Sequence, residues 1–244
     1  MQTAVVIPAL NEEKNVGSVV KEARRSLPKA VIIVVDDGSR DDTAKVAKDS
    51  GATIVIKNKK NLGKMESTKK AMVYIEKKYP AAGVVALIDA DRQYAASDLP
   101  KIVGPIAVGR ADFVVGKRSL RDIPYFRHKF GIFAIAAVFN LMNGTNFTDT
   151  VCGLRAISVD AFKNMRLCSS GYAIESEMLV EAIKNGIRVV EVPVKVDYRI
   201  SHTGRKGTTM AINILLHLLL WKFFDRRVVE RKIIKIMKLY KKIF

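Results

Sequence analysis

Residues 83–93 read Gly83-Val84-Val85-Ala86-Leu87-Ile88-Asp89-Ala90-Asp91-Arg92-Gln93, an unbroken apolar run closed by two carboxylates, a guanidinium and an amide. A run that does not alternate belongs to a strand buried on both faces, as when helices cover each side of a parallel sheet. Residues 3–7, 30–35, 52–56 and 112–115 have the same character. Between these runs lie helix-like stretches that begin near Glu12, Asp41, Lys64 and Ser97, and Asn11, Asp41 and Ser97 are expected to cap their first turns. The alternation up to about Gly116 predicts an α/β fold, a mostly parallel Rossmann-like sheet with helices on both faces.

Ligands of open α/β sheets bind beyond the carboxyl ends of the strands. Those ends are polar here: Pro8-Ala9-Leu10-Asn11-Glu12, Asp36-Asp37-Gly38-Ser39, Asp89-Ala90-Asp91-Arg92-Gln93 and Gly116-Lys117-Arg118. Asp89, Asp91 and Gln93 offer three hard oxygen donors, which suits Mg²⁺ or Mn²⁺, although capping aspartates in a strand-to-helix turn give the same pattern. A calcium loop of EF-hand type is excluded, because its sixth and twelfth positions fall on Tyr94 and Pro100. A cation held by two carboxylates usually bridges them to substrate phosphates. Neither common phosphate loop is present, since Gly63-Lys64 is followed by Met65 and no G-x-G-x-x-G follows the first run, so ATPase and dinucleotide-dehydrogenase readings weaken. Asp36 or Asp37 suits a ribose hydroxyl or a base N–H, with an Asx-turn as the alternative for either.

Beyond Gly116, residues 130–142 read as an apolar helix, either buried or lying in a membrane interface. A further helix over 172–184 ends at Asn185 and Gly186. It feeds a strand over 187–196 whose Pro193 marks it as an edge. Glu175 and Glu177 stand two apart on that helix and cannot share a face, so one of them is assigned a structural role. Cys152 reads as small packing, and His128, His202 and His217 are too dispersed for a metal site.

The 244 residues are 49% hydrophobic, enough for one sizeable domain, and carry 42 Lys and Arg against 24 Asp and Glu, a net charge of +18. Such a charge calls for an anionic partner: nucleic acid, a phosphorylated small molecule or a membrane surface. Nucleic acid is disfavoured, because the basic residues are scattered and tail-heavy and the strand ends carry acids. Two cysteines cannot make a disulfide scaffold, and with no leader before the first apolar run the expected location is cytoplasmic. Residues 210–221 are apolar but fall short of the roughly 20 residues a spanning helix needs. Residues 225–244 hold eight basic and two acidic side chains, +6 of the total. There Val229, Ile233, Ile236, Met237, Tyr240 and Phe244 oppose Arg227, Arg231, Lys235, Lys238 and Lys242 at helical spacing, the pattern of a membrane-surface helix. Packing on the domain or dimerisation are the other readings of that segment. The expected division is a catalytic domain over 1–206 and an amphipathic, basic, membrane-associating tail over 207–244.

Seven segments, in order, resemble family 2 glycosyltransferases of GT-A fold, with the dolichyl- or polyprenyl-phosphate sugar synthases the most similar type. They are PALNE from Pro8, DDGSRDDT from Asp36, NLGK from Asn61, DADRQ from Asp89, GKR from Gly116, DTVCGLR from Asp149 and GYAIESE from Gly171. The resemblance implies that Pro8, Ala9, Asn11, Glu12 and Asp36 contact the nucleoside, with Lys64, Ala90 and Asp91 also on the donor. It implies a divalent metal, Mg²⁺ or Mn²⁺, on Asp89, Asp91 and Gln93, and a catalytic role for Asp89, Asp91 and Arg118. The acceptor phosphate falls to Arg118, Arg127, Lys129, Arg199 and Lys206. The implied reaction is inverting transfer of a hexose, mannose or glucose foremost, from a GDP- or UDP-sugar to dolichyl or polyprenyl phosphate on the cytoplasmic membrane face. A membrane partner subunit is left open. The alternative enzyme reading is the same fold acting on a soluble or polysaccharide acceptor.

Overall fold

The computed structural model describes residues 1–119, 121, 123–168, 173–199, 204–224 and 228, with the side chains of 204–210 left aside. In chain order the elements are β1 (Gln2–Ala9), α1 (Val16–Ser26), β2 (Val31–Asp36), α2 (Thr43–Asp49), β3 (Ile54–Lys57), α3 (Lys64–Lys78) and β4 (Ala82–Leu87). A 3-10 turn (Ala96–Asp98) then leads into α4 (Leu99–Ala107) and β5 (Phe113–Arg118), followed by α5 (Phe126–Asn143), β6 (Arg155–Ser158) and α6 (Val159–Lys163). The last three are α7 (Ile174–Lys184), β7 (Val189–Val194) and α8 (Gly204–Phe223). Among the described residues seven strands form one sheet in the order β3-β2-β1-β4-β6-β5-β7. All pairings are parallel except those of β6, which runs antiparallel between β4 and β5.

The non-alternating runs became the buried strands. All six residues of β2 are buried, as are Ala4 to Ile7 of β1 and Val84 to Leu87 of β4, because helices cover both faces. The edge strands β3 and β7 are only half buried, and Pro193 lies in β7, as its composition predicts. Successive strands step outward from β1 to β3 and then resume on the other side of β1 with β4, so the order reverses between β1 and β4. That reversal opens a crevice at the carboxyl ends of those strands.

Three expectations about helix starts are corrected. Helix α1 begins at Val16, not near Glu12, and Asn11 adopts a left-handed φ of 56° and does not cap it. Its Oδ1 accepts from the Arg40 amide and its own N–H donates to Ser39 Oγ, so it ties two strand-end loops together. Ser97 lies inside the 3-10 turn and its N–H donates to Glu22 Oε1. The N-cap of α2 is Asp42, not Asp41, although Asp41 Oδ1 accepts from the Thr43 amide and hydroxyl beside it.

The sequence pattern did not reveal β6. Four residues beginning with a buried arginine carry no strand signature, yet Arg155 pairs with Leu87 on one side and Val115 on the other. Because β6 is antiparallel, its start lies at the carboxyl ends of its neighbours. This delivers the loop 149–154 to the crevice.

Helix α5 is longer than the predicted 130–142 and packs on α8. Ile132, Ile135, Ala136 and Phe139 face inward at helical spacing, while Phe126, Phe130, Phe133 and Leu141 are exposed. The α8 residues Ile214, Leu218 and Trp221 join the core, whereas Ile212, Leu216, Leu219 and Phe223 form an exposed apolar stripe. Lys222 Nζ donates to the carbonyl of Met142 near the end of α5, a favourable place for a cation. The boundary expected at residue 206 therefore falls inside a helix that packs on the domain. Residues 225–227 and 229–244, most of the expected surface helix, lie outside the described residues. No helix among the described residues is long and apolar enough to cross a membrane.

If α8 is integral to the domain, Leu218→Ala, which empties a fully enclosed site, should lower the unfolding free energy by about 3 kcal/mol. Leu219→Ala, half exposed one residue on, should cost less than about 1 kcal/mol. Urea denaturation of the two variants tests this; equal costs would place α8 outside the cooperative unit.

Candidate active site

Four strand ends meet at the crevice. At the end of β1, Pro8 and Ala9 lie in register with Val35 and Asp36 of β2. The Glu12 amide donates to Thr43 Oγ1 and its carboxylate accepts from the Asn15 side-chain Nδ2, which fixes the β1–α1 loop. Beside it a cavity of about 520 Å³ is lined by Asn11, Gly38, Ser39, Arg40, Lys60 and Asn61 among others.

The adjacent aspartates at the end of β2 do different work, a point the sequence left open. Asp37 is spent on the chain itself: Oδ1 accepts from the Asn58 side chain and the Leu62 amide, and Oδ2 from the Gly63 amide at 2.7 Å. Asp36 is fully buried, and its Oδ1 accepts from the Ser39 amide. Its Oδ2 accepts no hydrogen bond, although Lys57 Nζ stands 3.7 Å away. Leaving such an acceptor unsatisfied costs about 1–3 kcal/mol, which a ligand's hydroxyl or N–H could recover.

At the end of β4, Asp89 Oδ1 lies 2.5 Å from Lys64 Nζ, and the same ammonium donates to Glu175 Oε1 at 2.7 Å. Burial alone would lower the Lys64 pKa, but Asp89 and Glu175 overcome it and hold the ammonium above its ordinary range. Asp91 Oδ1 accepts from the Gln93 amide. Burial first, and then the charge of Asp89, push the Asp91 carboxyl up to about 6. Gln93 is tied by its backbone as well, its carbonyl accepting from the Asp197 amide, and the bridge between Tyr94 and Val196 holds that segment alongside.

The donor chemistry here is hard oxygen. Two carboxylates that resist being charged together fit a divalent cation shared with substrate phosphates. Among the described residues no group of three or more His, Cys, Asp or Glu is arranged to hold a metal ion by itself.

The loop 149–154 supplies the far wall. Asp149, almost fully buried, grips Arg118 through Nε at 2.6 Å and Nη2 at 2.9 Å. Burial opposes both charges, yet each holds the other ionised, with Asp149 below and Arg118 above its usual value. Glu191 of β7 accepts from the amides of Thr148 and Asp149 and so fixes that pair. Gly153 packs so closely on Asp89 Oδ2 that a Cβ there would collide with it, and its N–H donates to Tyr94 Oη. Buried Arg155 donates to the carbonyls of Thr150, Cys152 and Glu175, clamping the loop to the start of α7.

The comparisons with known proteins agree with this architecture. Residues 4–166 match the family described as glycosyl transferase family 2. This chain belongs to that family. It is 31% identical to a UDP-N-acetylglucosamine–dolichyl-phosphate N-acetylglucosaminyltransferase of Methanococcus voltae, over 89% of this chain and 95% of that protein. It is 28% identical to the polyprenol monophosphomannose synthase of Mycolicibacterium smegmatis, over 79% of this chain and 76% of that protein. Among solved structures, glucosyl-3-phosphoglycerate synthase from Mycobacterium tuberculosis, in complex with Mn²⁺, UDP and glucosyl-3-phosphoglycerate, superposes with a TM-score of 0.70. That match spans 91% of this chain and 79% of the other at 22% identity, and it shows the shared fold, which is GT-A.

Of the residues singled out in this glycosyltransferase, Pro8, Ala9, Asn11, Glu12, Asp36, Asp89, Ala90, Asp91, Gln93 and Arg118 stand at or just after the strand ends that border the crevice, and Lys64, the first residue of α3, joins them through Asp89. Arg199 is exposed and pairs with Asp197, whose amide donates to the Gln93 carbonyl. Arg127 and Lys129 are exposed on the first turn of α5, and the Lys206 side chain lies outside the described residues. Glu175 and Glu177 diverge as their spacing requires: Glu175 anchors Lys64, and Glu177 is fully buried and accepts from the Cys168 amide. The roles of Asp149, Gly153 and Arg155 were not assigned beforehand, although DTVCGLR was visible as a motif.

The Asp91 carboxyl keeps its proton to higher pH in the folded protein than in the unfolded chain, whose carboxyl titrates near 3.8. Raising the pH from about 4 to about 6 therefore removes stability at this site, and the loss levels off above that range. In chelator-treated protein, the melting temperature of Asp91→Asn relative to wild type should climb across that window; a flat difference would contradict the assignment. Gly153→Ala should destabilise by about 1–3 kcal/mol and displace Asp89. Gly104→Ala, which meets open space, should do neither, as denaturation and Mn²⁺ titration of the two variants would show.

Proposed function

We propose that this glycosyltransferase catalyses metal-dependent, inverting transfer of a hexosyl unit from a nucleoside-diphosphate sugar to the phosphate of a polyprenol or dolichol. It does so at the cytoplasmic face of a membrane. The observation that carries the reading is the placement of the Asp89 and Asp91 carboxylates after β4 and of the unsatisfied Asp36 oxygen at the end of β2, the two strands that flank β1. The names of the Methanococcus and Mycolicibacterium relatives support a lipid-phosphate acceptor, and Mn²⁺ with UDP in the Mycobacterium structure supports cation and donor.

Asp36 would accept from the nucleoside, with the loop of Asn11 and Glu12 beside it. Asp89 and Asp91, with Gln93 as a further donor, would hold the cation, which neutralises charge on the departing diphosphate as a Lewis acid. Arg118, held by Asp149 through Nε and Nη2, would bind the incoming phosphate, with Arg127, Lys129, Arg199 and Lys206 as further cations. A phosphate acceptor is already an anion at neutral pH, so no residue needs to act as general base. Its oxygen attacks the anomeric carbon as the diphosphate leaves, and one displacement inverts the centre. Cys152 is no rival nucleophile, because burial and then the charge of Asp149 push its thiol up to about 12. Positioning and preorganised charge supply the rest of the rate.

The membrane side of the proposal rests on the exposed apolar stripes of α5 and α8, with Arg127 and Lys129 beside the first of them. Aromatic rings flanked by cations suit the boundary of headgroups and acyl chains.

Incubated with polyprenyl phosphate, Mn²⁺ and radiolabelled UDP- and GDP-sugars, N-acetylglucosamine, mannose and glucose included, the enzyme should place one label in an acid-labile lipid fraction. Asp89→Asn should lower that rate about a hundredfold or more; full activity without added cation would sink the metal assignment. In vesicle flotation with anionic lipid, Phe130→Ser combined with Phe133→Ser, or removal of residues 225–244, should weaken binding. Unchanged flotation of both variants would refute the membrane-surface reading.

A further inference from the structure

We infer that Lys64 couples cation binding to donor binding: its ammonium is the counter-ion of Asp89 and Glu175 in the nucleotide-free enzyme, and it yields that place to the divalent cation as it moves to the donor diphosphate. The inference rests on the metal site proposed above and adds to it the order in which the site fills. The Lys64 backbone cannot be the moving part. It follows Gly63, whose φ of 93° favours glycine and whose amide is held by Asp37 Oδ2, while the Leu62 amide is held by Asp37 Oδ1. Only the four-carbon side chain is free to swing, and an ammonium makes bonds that have no fixed fork geometry to lose.

Its two present partners are both carboxylates, and one of them is the metal-site residue Asp89. A divalent cation on Asp89 would face the Lys64 ammonium at close range, and the two like charges would repel. Cation alone therefore binds against Lys64. A diphosphate offers the ammonium other anionic oxygens and relieves that repulsion, and by linkage the cation strengthens donor binding to the same degree. Glu175, held in place by Arg155 through its carbonyl, is the second anchor that keeps Lys64 at the site until then.

The test is Mn²⁺ affinity, read by electron paramagnetic resonance of free Mn²⁺, with and without saturating UDP or GDP. Lys64→Met should bind Mn²⁺ about tenfold more tightly than wild type without nucleotide, and its gain on adding nucleotide should shrink by a similar factor. Lys64→Gln serves as a second removal of the charge should the methionine variant fold poorly, with the same gain expected. Lys64→Arg, which keeps the charge, should stay within about twofold of wild type. Lys77→Met removes one exposed charge from the other end of α3 and should leave affinity unchanged. The inference is overturned if Lys64→Met and Lys64→Gln bind Mn²⁺ no better than wild type, or if Lys77→Met gains as much as they do. If wild type takes up no Mn²⁺ even with nucleotide, the metal assignment of Asp89 and Asp91 itself fails.

Discussion

Carboxylates gathered at one end of a sheet repel one another, and the arrangement around this crevice answers that constraint. Each acid is assigned a specific positive or hydrogen-bonding partner. Asp37 is neutralised by three N–H donors, Asp149 by a bidentate guanidinium, and Asp89 with Glu175 by one shared ammonium. Asp91 is left without a cation of its own and keeps its proton to about pH 6. Asp36 is left with one oxygen lacking a hydrogen bond. Asp37 and Asp149, whose partners are complete, shape the loops; Asp36 and Asp91, incompletely matched, are assigned to the donor and its cation, and Asp89 shares its one ammonium with Glu175. Incomplete matching at a buried site is costly in the free protein, and a ligand can offset it only by bringing the missing charge or N–H.

Strand β6 contributes to the same arrangement by running antiparallel between β4 and β5. An antiparallel strand brings its amino end, and with it Arg155, whose guanidinium gathers three backbone carbonyls and lies 5.7 Å from the Phe113 ring centroid. Burying a guanidinium is tolerable because its N–H groups are satisfied by those carbonyls. The clamp holds Glu175 at one side and the Asp149 loop at the other, so the Lys64 anchor and the Arg118 anchor are fixed to the same residue.

Strand runs covered on both faces were legible because they lack alternation, and β1 to β5 all emerged within a few residues of their expected bounds. Pro193 marked the edge strand for a local reason, its missing N–H. What escaped reading depends on partners distant in sequence. Asn11 looks like a helix cap until Ser39 and Arg40 are placed beside it. Asp36 and Asp37 are indistinguishable in a string, and only the return of the chain at Leu62 and Gly63 separates them. Strand β6 is too short for periodicity and begins with a charge, so nothing local predicted it. The motif carrying Gly153 was visible, but the need for glycine there is set by a carboxylate 64 residues earlier in the chain.

The net charge of +18 and the acidic crevice now fit together. The proposed reaction requires an enzyme that attracts anions over long range and yet holds a cation at the reacting centre. Basic residues scattered over the surface create the attracting field, which is long-ranged and screened by salt. Carboxylates buried at the strand ends act over a few ångströms, where the dielectric is lower and each charge weighs more. If the two sets were mixed in one pocket, lysines near Asp91 would compete with the divalent cation on equal terms. Instead Lys64 alone reaches the Asp89 carboxylate among the described ion pairs, and a single competitor can be displaced by a single ligand.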